Sequence, residues 1–209
     1  MIKIKRFVLG PLENNTYLIT DPDNKKAVVI DPSAPSRELL SEIIENSLTL
    51  EAILLTHAHF DHIGGVNWLI REIGDQIMVA LHKDDLDLWE NGGGSKNFGF
   101  DLDIGHSPNK LLSDQELLTF SDIHLTVLYT PGHTSGHVTF HLPSNKTAFC
   151  GDLIFFHGVG RTDLSNGDEC QLINSIRRKI FTLPKETLLF PGHGPETSVE
   201  EEMANNPFL

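Results

Sequence analysis

Thr56-His-Ala-His-Phe-Asp-His-Ile-Gly-Gly65 follows directly on the apolar run Ala52-Ile-Leu-Leu55. Three imidazoles and one carboxylate thus fall within residues 57–62, at the end of a segment that reads as a buried strand. His57 and His59 are two apart and project to one side of an extended chain, while Asp61 and His62 fall where the chain turns. Neutral imidazole suits zinc, ferrous iron and similar ions. A short loop rarely aims a complete coordination shell, so more ligands are expected from elsewhere. Three stretches supply them: His133 in Tyr129-Thr-Pro-Gly-His-Thr-Ser-Gly-His137, Asp152 in Phe149-Cys-Gly-Asp152, and His193 in Phe190-Pro-Gly-His-Gly194. In each, an apolar strand ends and a glycine precedes a potential ligand, which is how a sheet presents groups at one edge. Any one of these residues alone would read as a surface histidine or a turn aspartate. Together, His57, His59, Asp61, His62, His133, Asp152 and His193 point to a metal site. His82, His106, His124, His137, His141 and His157 have no such support. His137 reads as packing, or as a group that orients its neighbours.

Outward from this cluster, composition sets limits. The 209 residues, 39% hydrophobic, suffice for one sizeable core, and no composition shift marks a second domain. The start, Met-Ile-Lys-Ile-Lys-Arg, lacks the apolar stretch of a signal peptide, and no apolar run approaches the length of a bilayer span. A cytoplasmic protein with no membrane association is expected. Cys150 and Cys170 lack CxxC spacing and read as reduced thiols. A formal charge of −13 argues against nucleic-acid partners, which require a basic face. Gly-x-Ser-x-Gly, Gly-x-x-x-x-Gly-Lys and His-Glu-x-x-His are all missing from the chain.

Period-two patterning predicts strands over 2–8, 15–20, 27–31, 52–55, 77–81, 117–120, 123–129, 137–142, 147–150 and 187–190. A helix is expected over 37–48, with Leu39, Leu40, Ile43 and Ile44 at helical spacing, Ser36 as its cap and Glu38 in the first turn. Another is expected over 168–181. So many directly joined strands, with helices at intervals, predict mixed sheets packed inside helices. Residues 92–113 are glycine-rich and weakly periodic, which predicts a long loop. Two readings are open for it: a pocket wall presenting Phe98 and Phe100, or a surface insertion.

With these stretches in hand, the chain resembles the metallo-β-lactamase superfamily, in its glyoxalase II-like (hydroxyacylglutathione hydrolase-like) branch. The resemblance covers nearly the whole chain: Gly10-Pro-Leu-Glu-Asn-Asn-Thr-Tyr-Leu, the histidine-rich stretch at 56–65, Thr-Pro-Gly-His-Thr-Ser-Gly-His, Gly-Asp-Leu-Ile-Phe, Gly-Val-Gly-Arg-Thr-Asp and Pro-Gly-His-Gly-Pro-Glu-Thr. It implies an α/β fold, a four-layer αββα sandwich of two mixed sheets, as a single domain over 1–209. It also implies a dinuclear site, with zinc the first expectation and iron or manganese the alternatives. His57, His59 and His133 would hold one ion, Asp61, His62 and His193 the other, and Asp152 would bridge them. Asp61 would also orient the hydroxide. Two departures stand out. Full-length glyoxalase II enzymes continue into a helical glutathione-binding domain, and none is expected here, sixteen residues following His193. Where those enzymes place a basic and then an aromatic residue against glutathione, the matching pair here is Arg161 and Asp163.

Two divalent ions about 3.5–4 Å apart make hydroxide available near neutral pH and polarise the carbonyl it attacks. A thiolate leaves without prior protonation, whereas an amine or alkoxide needs a general acid. A thioester hydrolase is therefore expected, with a small anionic thioester such as S-lactoylglutathione as substrate and Arg161 meeting its acidic end. Competing expectations are a mononuclear iron persulfide dioxygenase, a lactonase, β-lactamase or nuclease of the same superfamily, and a non-catalytic metal-binding protein. The oligomeric state is left open.

Overall fold

The computed structural model describes all residues except Phe100, His106 and Ser165. The first sheet has six strands in chain order: β1 (Lys3–Leu9), β2 (Asn14–Asp21), β3 (Lys26–Ile30), β4 (Thr49–Leu54), β5 (Met78–His82) and β6 (Lys110–Leu112). Its first two pairings are antiparallel and the remaining three parallel. The second sheet contains β7 (Leu117–Phe120), β8 (Ile123–Tyr129), β9 (Val138–Leu142), β10 (Thr147–Gly151), β13 (Leu188–Pro191) and β14 (Thr197–Ser198), in the order β14-β13-β10-β9-β8-β7. Only β10 and β13 pair in parallel. A small hairpin, β11 (Ile154–Phe155) with β12 (Gly158–Val159), follows β10.

Alternation along the strands sorts the core into layers. In β2, β3 and β4, Tyr17, Ile19, Val28, Ile30, Ala52 and Leu54 face inward and meet Leu125, Val127, Phe140 and Phe149 of the second sheet. Their neighbours Leu18, Ala27, Val29 and Ile53 face outward, against Leu39 and Ile43 of α1 (Arg37–Glu45) and Val66 and Leu69 of α3 (Val66–Ile73). On the far side, Ala148, Cys150 and Leu189 pack on Leu172, Ile176 and Ile180 of the helix that begins as α5 (Glu169–Ser175), and on Val199 of α6 (Val199–Asn205). Helix, sheet, sheet and helix therefore stack as the αββα sandwich, each layer buried because side chains alternate across a strand.

The Ser36 hydroxyl caps α1 by accepting from Leu39 N at 3.2 Å, but Ile44 turns out to solvent, 61% exposed, so the apolar stripe of that helix is narrower than its spacing suggested. Asp168 caps α5 through Gln171 N at 2.9 Å, and a π turn at Ile176–Ile180 carries the helix to the expected end. Helices α2 (Phe60–Ile63), α3, α4 (Leu86–Glu90) and α6 were not expected; α2 lies inside the motif at 56–65 and α3 follows directly on it. The 92–113 stretch is also more regular than a loop: Gly92–Phe98 forms helical turns and β6 lies within it. Among the described residues, no helix is long and apolar enough to cross a membrane.

Candidate metal centre

Parallel register assembles the site. In the first sheet Ile30 pairs with Leu54, so Asp31 lies beside the chain entering Thr56-His57. In the second, Gly151 pairs with Pro191, which sets Asp152 beside Gly192-His193. Val138 N donates to Thr56 O at 2.8 Å and joins the two sheets where their ligand loops meet. Gly192 is required by the close approach: a Cβ there would lie 2.2 Å from Asp152 Oδ1 and 2.7 Å from His62 Cε1.

All seven sequence-predicted ligands converge. Potential donor atoms group as His57, His59 and His133, as His57, His62 and Asp152, and as Asp61, His62 and His193, each set within 4.8 Å. His59 Nδ1 faces His133 Nε2 at 2.9 Å. His193 Nε2 stands 3.2 Å from Asp61 Oδ2, and Asp152 Oδ2 is 3.6 Å from His133 Nε2 and 3.7 Å from His193 Nε2. Asp152 thus sits between the two triads.

Hydrogen bonds behind the rings decide which nitrogen faces inward. His133 Nδ1 donates to the Arg161 carbonyl at 2.7 Å, and His193 Nδ1 to the Leu12 carbonyl at 3.1 Å. His62 Nδ1 faces Asp31 Oδ2 at 2.8 Å. Thr56 Oγ1 donates to the same Asp31 oxygen at 2.6 Å, so it accepts from His57 Nδ1 at 3.1 Å. In His57, His62, His133 and His193 the protonated nitrogen therefore points away, and the Nε2 lone pair points into the site. Asp85, fully buried, accepts from Ala58 N, Thr134 Oγ1 and Gly136 N at 3.0, 2.9 and 2.7 Å, which clamps the loop of His57 and His59 to the loop of His133.

The donor set fits divalent ions. His57 Nε2 and Asp152 Oδ1 are buried without a hydrogen-bond partner, although His62 Nε2 lies 3.3 Å from the latter. Such orphaned donors are rare unless an ion or water completes them. Burial lowers His57 well below the ordinary imidazole value and, with His133 nearby, brings His59 down to about 3, so both stay neutral as ligands must. For His62 burial also lowers, but the Asp152 and Asp31 carboxylates outweigh it and raise the ring well above its usual range. Asp152 is pushed up by burial, yet the facing His62, His133 and His193 hold it far below the carboxylate range. Asn14 Nδ2 lies 2.8 Å from His62 Nε2, a contact an ion would replace.

His59, Asp61, His133, Asp152 and His193 form the floor of a cleft of about 510 Å³, with His57 and His62 fully buried. Leu12, Phe60, Phe98, Phe155, Val159 and Leu164 line its walls, and Arg161 stands at the mouth. The Arg161 guanidinium is already engaged: Nε and one terminal nitrogen donate to Asp163 Oδ1 and Oδ2 at 2.7 and 2.9 Å. Phe98 reaches the cleft as the pocket-wall reading expects, whereas Phe100 and His106 lie outside the described residues. Sequence reasoning passed over Asp31 and Asp85. For Asp31 the signal was a carboxylate ending an apolar strand just before Pro32; Asp85 carried none. His137 is fully buried beside His57, ring centroids 5.3 Å apart, with Nδ1 on Thr130 Oγ1 at 3.0 Å.

Known proteins agree with this geometry. Over the full chain, 38% of residues match "Probable metallo-hydrolase YqgX" of Bacillus subtilis, covering 98% of that protein. The "Hydroxyacylglutathione hydrolase GloC" of Haemophilus influenzae is 35% identical over 94% of this chain and 93% of its own. Among solved structures, the BLEG-1 B3 metallo-beta-lactamase superposes with a TM-score of 0.92 at 37% identity, covering 99% of both chains. TTHA1623, solved in a di-iron-bound form, gives 0.87 at 38% identity, covering 98% of this chain and all of that one. The Metallo-beta-lactamase superfamily model matches residues 9–193. With its two mixed sheets and its histidine and aspartate cluster at their shared edge, the chain belongs to the metallo-beta-lactamase superfamily and is a metal-dependent hydrolase.

Proposed function

We propose that the protein hydrolyses thioesters of the acylglutathione type, the hydroxyacyl ester S-lactoylglutathione among them, as one domain over residues 1–209 whose site would hold two divalent ions. His57, His59 and His133 would hold one ion, Asp61, His62 and His193 the other, with Asp152 placed to serve both. Zinc is the first choice for histidine-rich sets, and the di-iron form of TTHA1623 keeps iron beside it, with manganese third. When bound, the ions supply a nucleophile near neutral pH and polarise the carbonyl.

One observation carries the choice of a thioester. Apart from the ligand set, Arg161 is the only titratable side chain among the described residues lining the cleft. Among the described lining residues, no lysine, tyrosine or carboxylic acid outside the ligand set is placed to protonate a poor leaving group. Water adds to the carbonyl carbon, the C–S bond breaks, and the sulfur leaves as thiolate while the water proton passes to solvent. An amine leaving group demands a donor that these walls lack. Asp61, its side chain 14% exposed at the cleft floor, orients the attacking water. Arg161 contacts the far end of an anionic substrate and takes no part in bond breaking. The reading is supported by the resemblance to the relative named GloC. Free Cys150 and Cys170 suit a reducing, cytoplasmic setting.

The test measures bound metal, then turnover of S-lactoylglutathione, a β-lactam and a phosphodiester by the same preparation. Two ions per chain with a clear thioester preference support the proposal. A preference for the lactam, or a single ion that persists after metal supplementation, overturns it.

A further inference from the structure

Resting on the thioester reading, we infer that the cleft selects a bulky apolar acyl group, aromatic or branched aliphatic, over a hydroxyacyl group. Phe98, Phe155 and Leu164 are the residues that set this preference. Six apolar side chains surround the floor, and no non-ligand side chain among the described lining residues except Arg161 offers a hydrogen bond. A hydroxyl beside the carbonyl would leave water without a side-chain partner, whereas an apolar group gains contact on several sides.

Phe98 is built into position. Its ring packs on Phe60 with centroids 4.8 Å apart at 47°, yet it remains 53% exposed at the cleft. An aromatic ring half open in a cleft wall gains burial when an apolar ligand covers it. Its segment is seated on the ligand loop through Gly93, where φ is +63° and a Cβ would lie 2.4 Å from Phe60 N and 2.6 Å from Ala58 O. Only glycine allows the helical turns of 92–98 to come so close. On another side, Phe155 stands beside the His193 ring, centroids 6.2 Å apart.

Charge separates the two ends of the substrate. Arg161, its side chain 56% exposed and its fork on Asp163, is the one cationic side chain outside the ligand set among the described lining residues, and we set the hydrophilic carrier thiol on its side. The acyl group is the part that stays against the walls. The cleft volume of about 510 Å³ falls in the range of roughly 300–1,000 Å³ common for small-molecule sites, which leaves room for a ring.

Metal-loaded protein is assayed with S-benzoylglutathione and S-lactoylglutathione, which share one thiol. The expected kcat/KM ratio favours benzoyl by about tenfold or more, the scale of a few apolar contacts in a pocket. Phe98→Ala and Leu164→Ala lower that ratio toward unity with bound metal unchanged, and Phe98→Leu keeps most of it. Equal or better turnover of the lactoyl ester, or a ratio unmoved in the alanine variants, overturns the inference while leaving thioester hydrolysis standing. Failure to cleave either ester, with a β-lactam hydrolysed, overturns the thioester reading itself.

Discussion

Asp31 Oδ2 stands 2.8 Å from His62 Nδ1, and the same oxygen accepts from the Thr56 hydroxyl that faces His57. One buried carboxylate thereby orients a ring in each triad. Asp31→Asn is expected to weaken metal binding by about 10–100-fold, the usual cost of losing a partner behind a ligand. Competition with a chromophoric chelator measures this, and an affinity equal to that of the unmodified protein would deny Asp31 the role.

Asp152, between the triads, is the ligand that both ions would share in the proposed site. Asp152→Asn is expected to lower metal content and hydrolysis far more than Asp163→Asn, because an amide oxygen is a neutral and weaker ligand. Elemental analysis of the two purified variants decides, and similar metal content in both would mean the bridge is misassigned.

Acid should release the metal before it unfolds the protein. The carboxylates around His62 and the Asp61 partner of His193 raise both rings, burial opposing, so in the metal-free protein each holds its proton to higher pH than a free imidazole. Binding must expel those protons, so apparent affinity rises with pH and falls as pH drops below the raised values. The slope approaches tenfold per pH unit for each of about two protons released. Chelator competition at pH 6, 7 and 8 should show this, whereas a flat profile would mean both rings are neutral beforehand.

Arg161→Ala removes an exposed guanidinium but leaves the backbone carbonyl that holds His133. KM for an anionic thioester should rise several-fold with kcat nearly unchanged, as when uniform binding is lost. A neutral thioester should be indifferent, and a fall confined to kcat would give Arg161 a different task.

Gly93→Ala is expected to destabilise the protein by about 1–3 kcal/mol, the scale of overpacking plus a left-handed alanine. The new Cβ would press on the Phe60 amide nitrogen and the Ala58 carbonyl. A chemical denaturation midpoint within error of the parent would show that the 92–98 segment lifts off without cost.

The seven clustered ligands were legible in the sequence because each of the four segments that carry them follows an apolar strand, and because histidine and aspartate in such number have few bland roles. Strand alternation likewise made the layered sheets readable, since a period of two leaves its mark in every buried strand. The helix at 60–63 was not legible, because it is a single turn made largely of ligand residues; the one at 66–73 does carry Val66, Leu69, Ile70 and Ile73 at helical spacing, and the structure shows that face packed into the outer core. Nor did spacing show that Ile44 faces water, because what covers a helix is decided by its neighbours.

What the linear order alone determined, then, is the chemistry available: imidazoles and carboxylates in number at strand ends, in a chain able to bury one core. Only the tertiary structure decided their roles. Asp31 meets Thr56 and His62 because β3 and β4 pair in parallel, and Asp152 meets His193 because β10 and β13 do. Partners 25 to 41 residues apart are placed by sheet register, which no local pattern encodes. Arg161 is the contrast: its pairing with Asp163, two residues along, is local, and what only the fold decided is that it lines the cleft.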